Sequence, residues 1–341
     1  MRPAPLLCAG LLAAFAFAAP AVAASASAEP ASGEPASAEL VPAGPASAKS
    51  ASARSSPAEA APAAKPAPCP PAGYDAASLA ALKARRFALP DPAAQRALAQ
   101  GLLACLSDPD PELRDGTAFE ALSQWLRAGD FDAATLRGLR DALYARLDGA
   151  DGDGFGKPFA ALVLSEIART DRIAPWMDAR ERAAMLERAA AYLESVRDYR
   201  GYEARAGWRH GVAHGADWLL QLSLNPALEP AQQQRIVVAI ATQAVPASGH
   251  AYVFGEPERL ARPLLSAAAR AGWAEKRWQD FFAALGAKVG ALDRSDYAGW
   301  LGRRHDLRAF LLQVHWLAGR SEDARVRALG AAAEAALKRL D

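Results

Sequence analysis

The chain has 341 residues, enough for one large domain or two ordinary ones, and its charge is nearly balanced, with 39 Lys and Arg against 38 Asp and Glu. That balance excludes a whole-chain electrostatic footprint for nucleic acid or anionic lipid, and acids and bases also alternate along the predicted helices. Apolar residues reach 52%, but much of this is Ala, which favours helix while filling little core volume.

The first segment is patterned for export. Arg2 supplies a short positive stretch, residues 6–19 are apolar, Pro20 breaks any helix, and Ala21-Val22-Ala23 is a small-residue cleavage signal. The apolar run is too short for a comfortable membrane span. A lipoprotein reading at Cys8 fails, because Leu6 and Leu7 stand where small residues are needed. Residues 1–23 are therefore read as a signal peptide, and the mature chain as periplasmic or secreted, without a membrane span.

Residues 24–68 are mostly Ala, Ser, Pro and Glu, with Leu40 and Val41 as the only large aliphatics. Such a segment cannot bury enough apolar surface to offset the entropy of ordering, so a disordered spacer is expected. Signal removal leaves two cysteines, Cys69 and Cys105. In an oxidising compartment this even pair reads as a disulfide, closing a loop for roughly 3–4 kcal/mol of stabilisation.

From residue 70 onward the pattern is helical. Asp75 caps a helix to about 87, and Asp91-Pro92 and Asp110-Pro111 each put Pro at a first helical position. Leu113, Phe119, Leu122 and Leu126 follow at helical spacing. Asp132 opens a helix with Leu136, Leu139, Leu143 and Leu147 on one face, and Pro158 starts a strongly apolar one. Asp178 opens a long amphipathic helix. After a loop at 199–201, helices are expected at 208–224, 230–244, 257–271, 274–291, 305–318 and 321–340, the last capped by Ser321. No window sustains period-two alternation, and the run 252–254 is too short to change the class.

The expected fold is all-α, with about 12 helices in antiparallel pairs stacked as an α/α superhelix over a single domain, 69–341. Paired units of roughly 35–50 residues have the period of α-solenoids. The run from Ser107 to Arg114 resembles a HEAT-type repeat, in which Asp–Arg charge pairs would lock adjacent units. A helical toroid or a non-repetitive bundle gives the same helix count.

The chemistry-bearing residues concentrate in the run WRHGVAHGADWLLQL, 208–222. On one helix, His210, His214, Asp217 and Gln221 fall within about 60° of one another, opposite Val212, Leu219 and Leu222. Two His and an Asp at this spacing can converge on a divalent metal, and His–Asp contact suits acid–base chemistry. Gly211 stands where metalloprotease helices carry their Glu, and the Gly after each His equally suits close helix packing. Upstream, Asp198, Arg200 and Glu203 lie in a loop that can line the same cavity with Trp208, or pair among themselves. Downstream, Glu256 and Arg259 can close a groove, although Glu256 also complements a helix dipole.

The loop DGADGDGFG, 148–156, is superficially similar to a calcium loop, but Phe155 and Leu162 occupy positions that need oxygen ligands. His305 and His315 are read as packing or surface residues, and most of the eight Trp as core.

The run Asp198-Tyr199-Arg200-Gly201-Tyr202, then Gly207-Trp208 with His210, then Ala213-His214-Gly215-Ala216-Asp217, resembles the signature of the bacterial domain of unknown function 2785 family. Gly255-Glu256, then Glu258-Arg259-Leu260-Ala261-Arg262, is similar to another block of that family, as is Leu113-Arg114-Asp115-Gly116. The family name assigns no activity. The resemblance implies that His210, His214, Asp217 and the 198–203 loop belong to a common pattern. Two functions are therefore expected in order: a binding or scaffold module for a protein or cell-envelope ligand, or a metal-assisted hydrolase using His210, His214 and Asp217. No cofactor is assigned beyond that divalent metal.

Overall fold

Aspartates start many of the helices. A computed structural model describes residues 68–340, so the expected leader at 1–23 and nearly all of the expected spacer at 24–68 lie outside the described residues. Asp75, Asp91 and Asp110 each accept a first-turn backbone N–H, opening α1 (Ala76–Ala84), α2 (Pro92–Leu102) and α3 (Pro111–Leu113). The last continues through a π-helical turn, Arg114–Phe119, into α4 (Glu120–Ala128). Asp132 caps α5 (Ala133–Asp148). The carboxylate of Asp151 accepts the N–H groups of Gly156 and Lys157 at 2.7 and 3.0 Å, which starts α6 (Gly156–Ile173) two residues before the expected Pro158. Asp178 forms a capping box with Glu181 at the head of α7 (Ala179–Ser195).

Two short strands follow, β1 (Tyr202–Glu203) paired antiparallel with β2 (Gly207–Trp208). Then come α8 (Gly211–Ser223), α9 (Pro230–Gln243), α10 (Glu256–Ala268), α11 (Glu275–Val289), α12 (Tyr297–Gly319) and α13 (Ala324–Leu337). Counting the continuous segment 111–128 as one, twelve helices stand among the described residues.

Three expected boundaries are corrected. The helix expected at 208–224 begins only at Gly211, because residues 207–208 are taken by the strand pairing. The helix expected at 305–318 starts at Tyr297. Near its start the backbone of Gly249 comes so close that a side chain at Gly302 finds no room. The final helix is capped by Asp323, not Ser321, whose hydroxyl instead accepts the Asp323 N–H at 3.2 Å.

The helices pack as pairs in two rows. In one, α6 lies on α8, α8 on α10 and α10 on α12; in the other, α7 lies on α9 and α11 on α13. The rows join through α7–α8, α9–α10 and α12–α13. Buried Leu164 and Ile167 of α6, Trp218 and Leu219 of α8, Leu260 and Leu264 of α10, and Phe310 and Val314 of α12 fill the first row. Each such aliphatic contributes about 1.5–3 kcal/mol by leaving water. The chain is all-α, built from stacked helix pairs. Because α8 is central in its row, its polar residues are enclosed, not presented to solvent.

Arg114 departs from the expected Asp–Arg ladder. It is wholly buried, and its guanidinium donates to the carbonyls of Asp108 (2.8 Å) and Ala206 (2.6 Å) and to Asp115 (3.1 Å). The guanidinium carbon sits 4.0 Å from the Phe155 ring centre. The Asp108 carboxylate instead accepts the N–H of Asp110. Arg114 therefore ties the start of the stack to the β1–β2 turn.

Cys69 and Cys105 form a disulfide across a separation of 36 residues. Replacing both by Ser is expected to lower unfolding free energy by about 3–4 kcal/mol on the chain-entropy account. Urea denaturation of the purified protein checks this, and a loss under about 1 kcal/mol would refute it.

Candidate functional site

The residues singled out in the sequence meet around the start of α8. His210 is its N-cap, with left-handed backbone at φ 57°. A non-glycine residue there costs about 1–3 kcal/mol, and such strain concentrates at functional positions. It also means that the helix periodicity does not set the direction of the His210 side chain.

The His210 ring lies in a column descending from the surface. Trp208 stacks on it, with ring centres 4.7 Å apart and planes 21° apart. Trp208 is flanked by Tyr202 at 5.2 Å and by Phe254 edge-on at 5.8 Å. These three rings remain exposed: Tyr202 by 50%, Trp208 and Phe254 by 37% each. Phe254 reaches this position across Gly201, where a methyl group would overlap its ring.

Beneath the rings, His210 Nε2 is 3.4 Å from Glu256 Oε1 but makes no well-aligned hydrogen bond. Glu256 is buried and its other oxygen accepts the Phe254 N–H at 3.0 Å. Burial pushes the Glu256 carboxyl up, but the His210 imidazole and the local backbone outweigh it, leaving the group below its ordinary value.

His214 lies one turn further in. Its Nδ1 is 3.1 Å from the Pro158 carbonyl, so that nitrogen carries the proton, and its ring meets Phe159 edge-on. Burial holds its pKa well below the ordinary value, with His210 and Arg259 adding to the effect. Gly211 and Gly215 let α8 approach α7 closely, since a methyl at Gly215 would stand 3.1 Å from Leu193 and Tyr192.

Asp217 is gripped at both oxygens by Arg259, one bond measuring 2.7 Å. Burial raises its pKa, against the pull of that guanidinium. Gln221 lies further along and accepts from Arg172 of α6 at 3.2 Å, away from the histidines. The metal triad expected of His210, His214 and Asp217 does not converge: one nitrogen is held by a carbonyl and the carboxylate by an arginine. Among the described residues no group of three or more His, Cys, Asp or Glu is placed to hold a metal ion.

The upstream charges pair among themselves. Arg200 forks onto Asp198, and Glu203 pairs with Arg209. Arg209 and Arg200 both donate to the Asp153 carbonyl, at 2.8 and 3.3 Å, and Arg209 lies over Phe155. The 148–156 loop is thus spent on capping α6 and receiving arginines, while Asp148 pairs with Arg188. Sequence reasoning missed Phe254 and Arg209 as parts of this assembly. Their one legible signal was position: each sits next to a residue singled out or to a glycine.

Two cavities, of about 370 and 260 Å³, lie elsewhere, one bordered by Gln100 and Arg146 and the other by Phe282 and Leu311. Trp208, with Tyr202 and Phe254, instead forms an open aromatic surface over the buried His210 and Glu256.

A family model described as protein of unknown function (DUF2785) matches residues 143–315, just over half of the chain. That span contains all ten candidate residues. No curated protein and no solved structure matches the chain.

Because the folded pKa of His214 is depressed, the unfolded chain binds more protons below about pH 6.5. Its contribution to stability is therefore present above that pH and lost as pH falls. His214→Gln, which can still donate to the Pro158 carbonyl, is expected to flatten the decline in melting temperature between pH 7 and pH 5. An unchanged slope in calorimetry would count against a neutral, buried His214.

Proposed function

The chain belongs to the DUF2785 family of proteins of unknown function, and within it we propose an exported module that binds a glycan of the cell envelope through Tyr202, Trp208 and Phe254. The observation that carries this reading is the convergence of three exposed aromatic rings, from segments 46 residues apart at Trp208 and Phe254, over the His210–Glu256 pair. Single exposed aromatics need no explanation, but contiguous ones mark interaction surfaces. An aromatic face meets the apolar C–H face of a sugar ring, and the buried His210–Glu256 pair beneath holds that face in place.

Size favours a small ligand unit over a folded partner. At these exposures each ring offers on the order of 100 Å². Three such rings fall well below the roughly 800 Å² per partner of a stable protein interface.

Export is supported by the leader pattern at 1–23, the spacer composition at 24–68 and the Cys69–Cys105 bridge. In addition, no helix among the described residues is long and apolar enough to cross a membrane.

Co-sedimentation with purified peptidoglycan sacculi tests the binding reading. The wild-type protein should pellet with sacculi, and Trp208→Ala should lose at least about tenfold in affinity with its helical circular dichroism intact, a loss of about 1.4 kcal/mol. Equal retention of both proteins, or of neither, would overturn it. N-terminal sequencing of protein secreted by an expressing bacterium should begin at Ala24; a chain starting at Met1 would exclude the cleaved leader.

A further inference from the structure

Segment 249–256 delivers Phe254 and Glu256 to the aromatic surface, and α12 holds that segment from below. Gly249, in left-handed conformation at φ 70°, meets Gly299 and Gly302 backbone to backbone, with no space for a side chain at Gly249 or Gly302. One turn further along the same face of α12, Asp306 accepts the Tyr252 N–H on Oδ1 at 2.8 Å. Asp306 is wholly buried, and its Oδ2 has no hydrogen-bond partner. Tyr252 is itself pinned by its hydroxyl, which donates to Gln243, and it packs against Tyr199 and His250. The seat of the segment thus rests on a carboxyl group half of whose hydrogen-bonding capacity is unmet.

Such a group is comfortable when neutral and costly when ionised. The titratable groups facing it are Glu256 from α10, and Tyr252 and Tyr199 from the loops above. On its own helix, Arg303 is engaged by Asp296 and the Val289 carbonyl. Glu256 is an anion already committed to the site, so it opposes a second negative charge nearby. Lifting segment 249–254 would admit water to the orphaned oxygen, but it would also withdraw Phe254 from Trp208 and disturb the Phe254 N–H bond to Glu256.

We propose that Asp306 is a positioning residue that makes the aromatic site pH-responsive: its neutral carboxyl seats segment 249–256, and rising pH loosens that seat and weakens ligand binding. The link to binding rests on the glycan-site reading; the movement of the segment does not. Burial, reinforced by Glu256, pushes the Asp306 carboxyl up to about 7 from an ordinary 3.8. The sign follows from the raised value. The seated form holds the proton and the lifted, hydrated form releases it, so seating is strongest below about pH 4 and weakens up to about pH 7. Above that pH both forms are ionised and the balance levels off.

Hydrogen exchange of the Tyr252 amide in the full chain, corrected for the intrinsic rate, reads this without any ligand. Protection in the wild-type protein should fall by up to about tenfold per pH unit between pH 5 and pH 7 and then level off. In Asp306→Asn, which keeps the shape and cannot ionise, protection should stay flat. In Glu256→Gln, loss of the neighbouring charge should move the levelling-off point below pH 7, a readout that stands if the Asn variant does not fold. Sacculus binding by the wild-type protein should weaken over the same interval more steeply than binding by Asp306→Asn. Protection that is constant from pH 5 to pH 8 in the wild-type protein would overturn the proposal. The same fall in Asp306→Asn, or an unmoved levelling-off point in Glu256→Gln, would do so equally. The expected exchange pattern with no sacculus binding at any pH would sink the glycan reading and leave the seat of segment 249–256 standing.

Discussion

The buried guanidinium of Arg114 is the contact on which the geometry of the site depends. A charge removed from water at the start of the helical stack is tolerable only when its hydrogen-bonding capacity is nearly filled. Here three backbone carbonyls, Asp115 and the face of Phe155 do that, leaving only Nε without a partner. One of those carbonyls belongs to Ala206, in the turn between the two short strands. The same guanidinium that closes the first helices therefore fixes the turn that presents Tyr202 and Trp208. Next to it, Arg209 and Arg200 clasp the Asp153 carbonyl, so the strand pair is held against the head of α6 as well.

From that anchor the site is built inward by alternating constraint and release. Trp208 covers His210, whose left-handed backbone turns the chain into α8. His214 and Asp217 then lie on the enclosed face of the central helix, where each has a dedicated partner, the Pro158 carbonyl and Arg259. These two residues hold α8 to α6 and α10. Two of the buried groups with unmet capacity, His210 Nε2 above and Asp306 Oδ2 below, bracket Glu256 and the segment that carries Phe254.

Much of this arrangement was legible in particular residues. The Asp-Pro pairs and the lone aspartates at Asp75, Asp132 and Asp178 marked helix starts because a carboxylate satisfying first-turn N–H groups is a local interaction. The concentration of His, Asp and Trp in 208–217 pointed to the right stretch of chain. The grouping within it was not legible. A helical wheel put His210, His214, Asp217 and Gln221 on one stripe, but His210 lies outside the helix, and α8 is packed on both flanks. Its polar residues thus divide between partners on α6 and α10. The start of α12 was missed for a related reason: its first turns are packed against the backbone of Gly249, an approach that no local pattern records.

The sequence by itself determined what depends on near neighbours and composition: the all-α class, the caps, the pairing partners Cys69 and Cys105, and the stretch that carries the polar cluster. Tertiary structure alone decided which polar groups are consumed and which remain free. That outcome depends on carbonyls, rings and charges brought from residues 42 to 92 positions away, as with Ala206 on Arg114, Arg259 on Asp217 and Tyr252 on Asp306. The availability of a side chain is a property of its surroundings after packing, and no spacing rule along one helix carries that information.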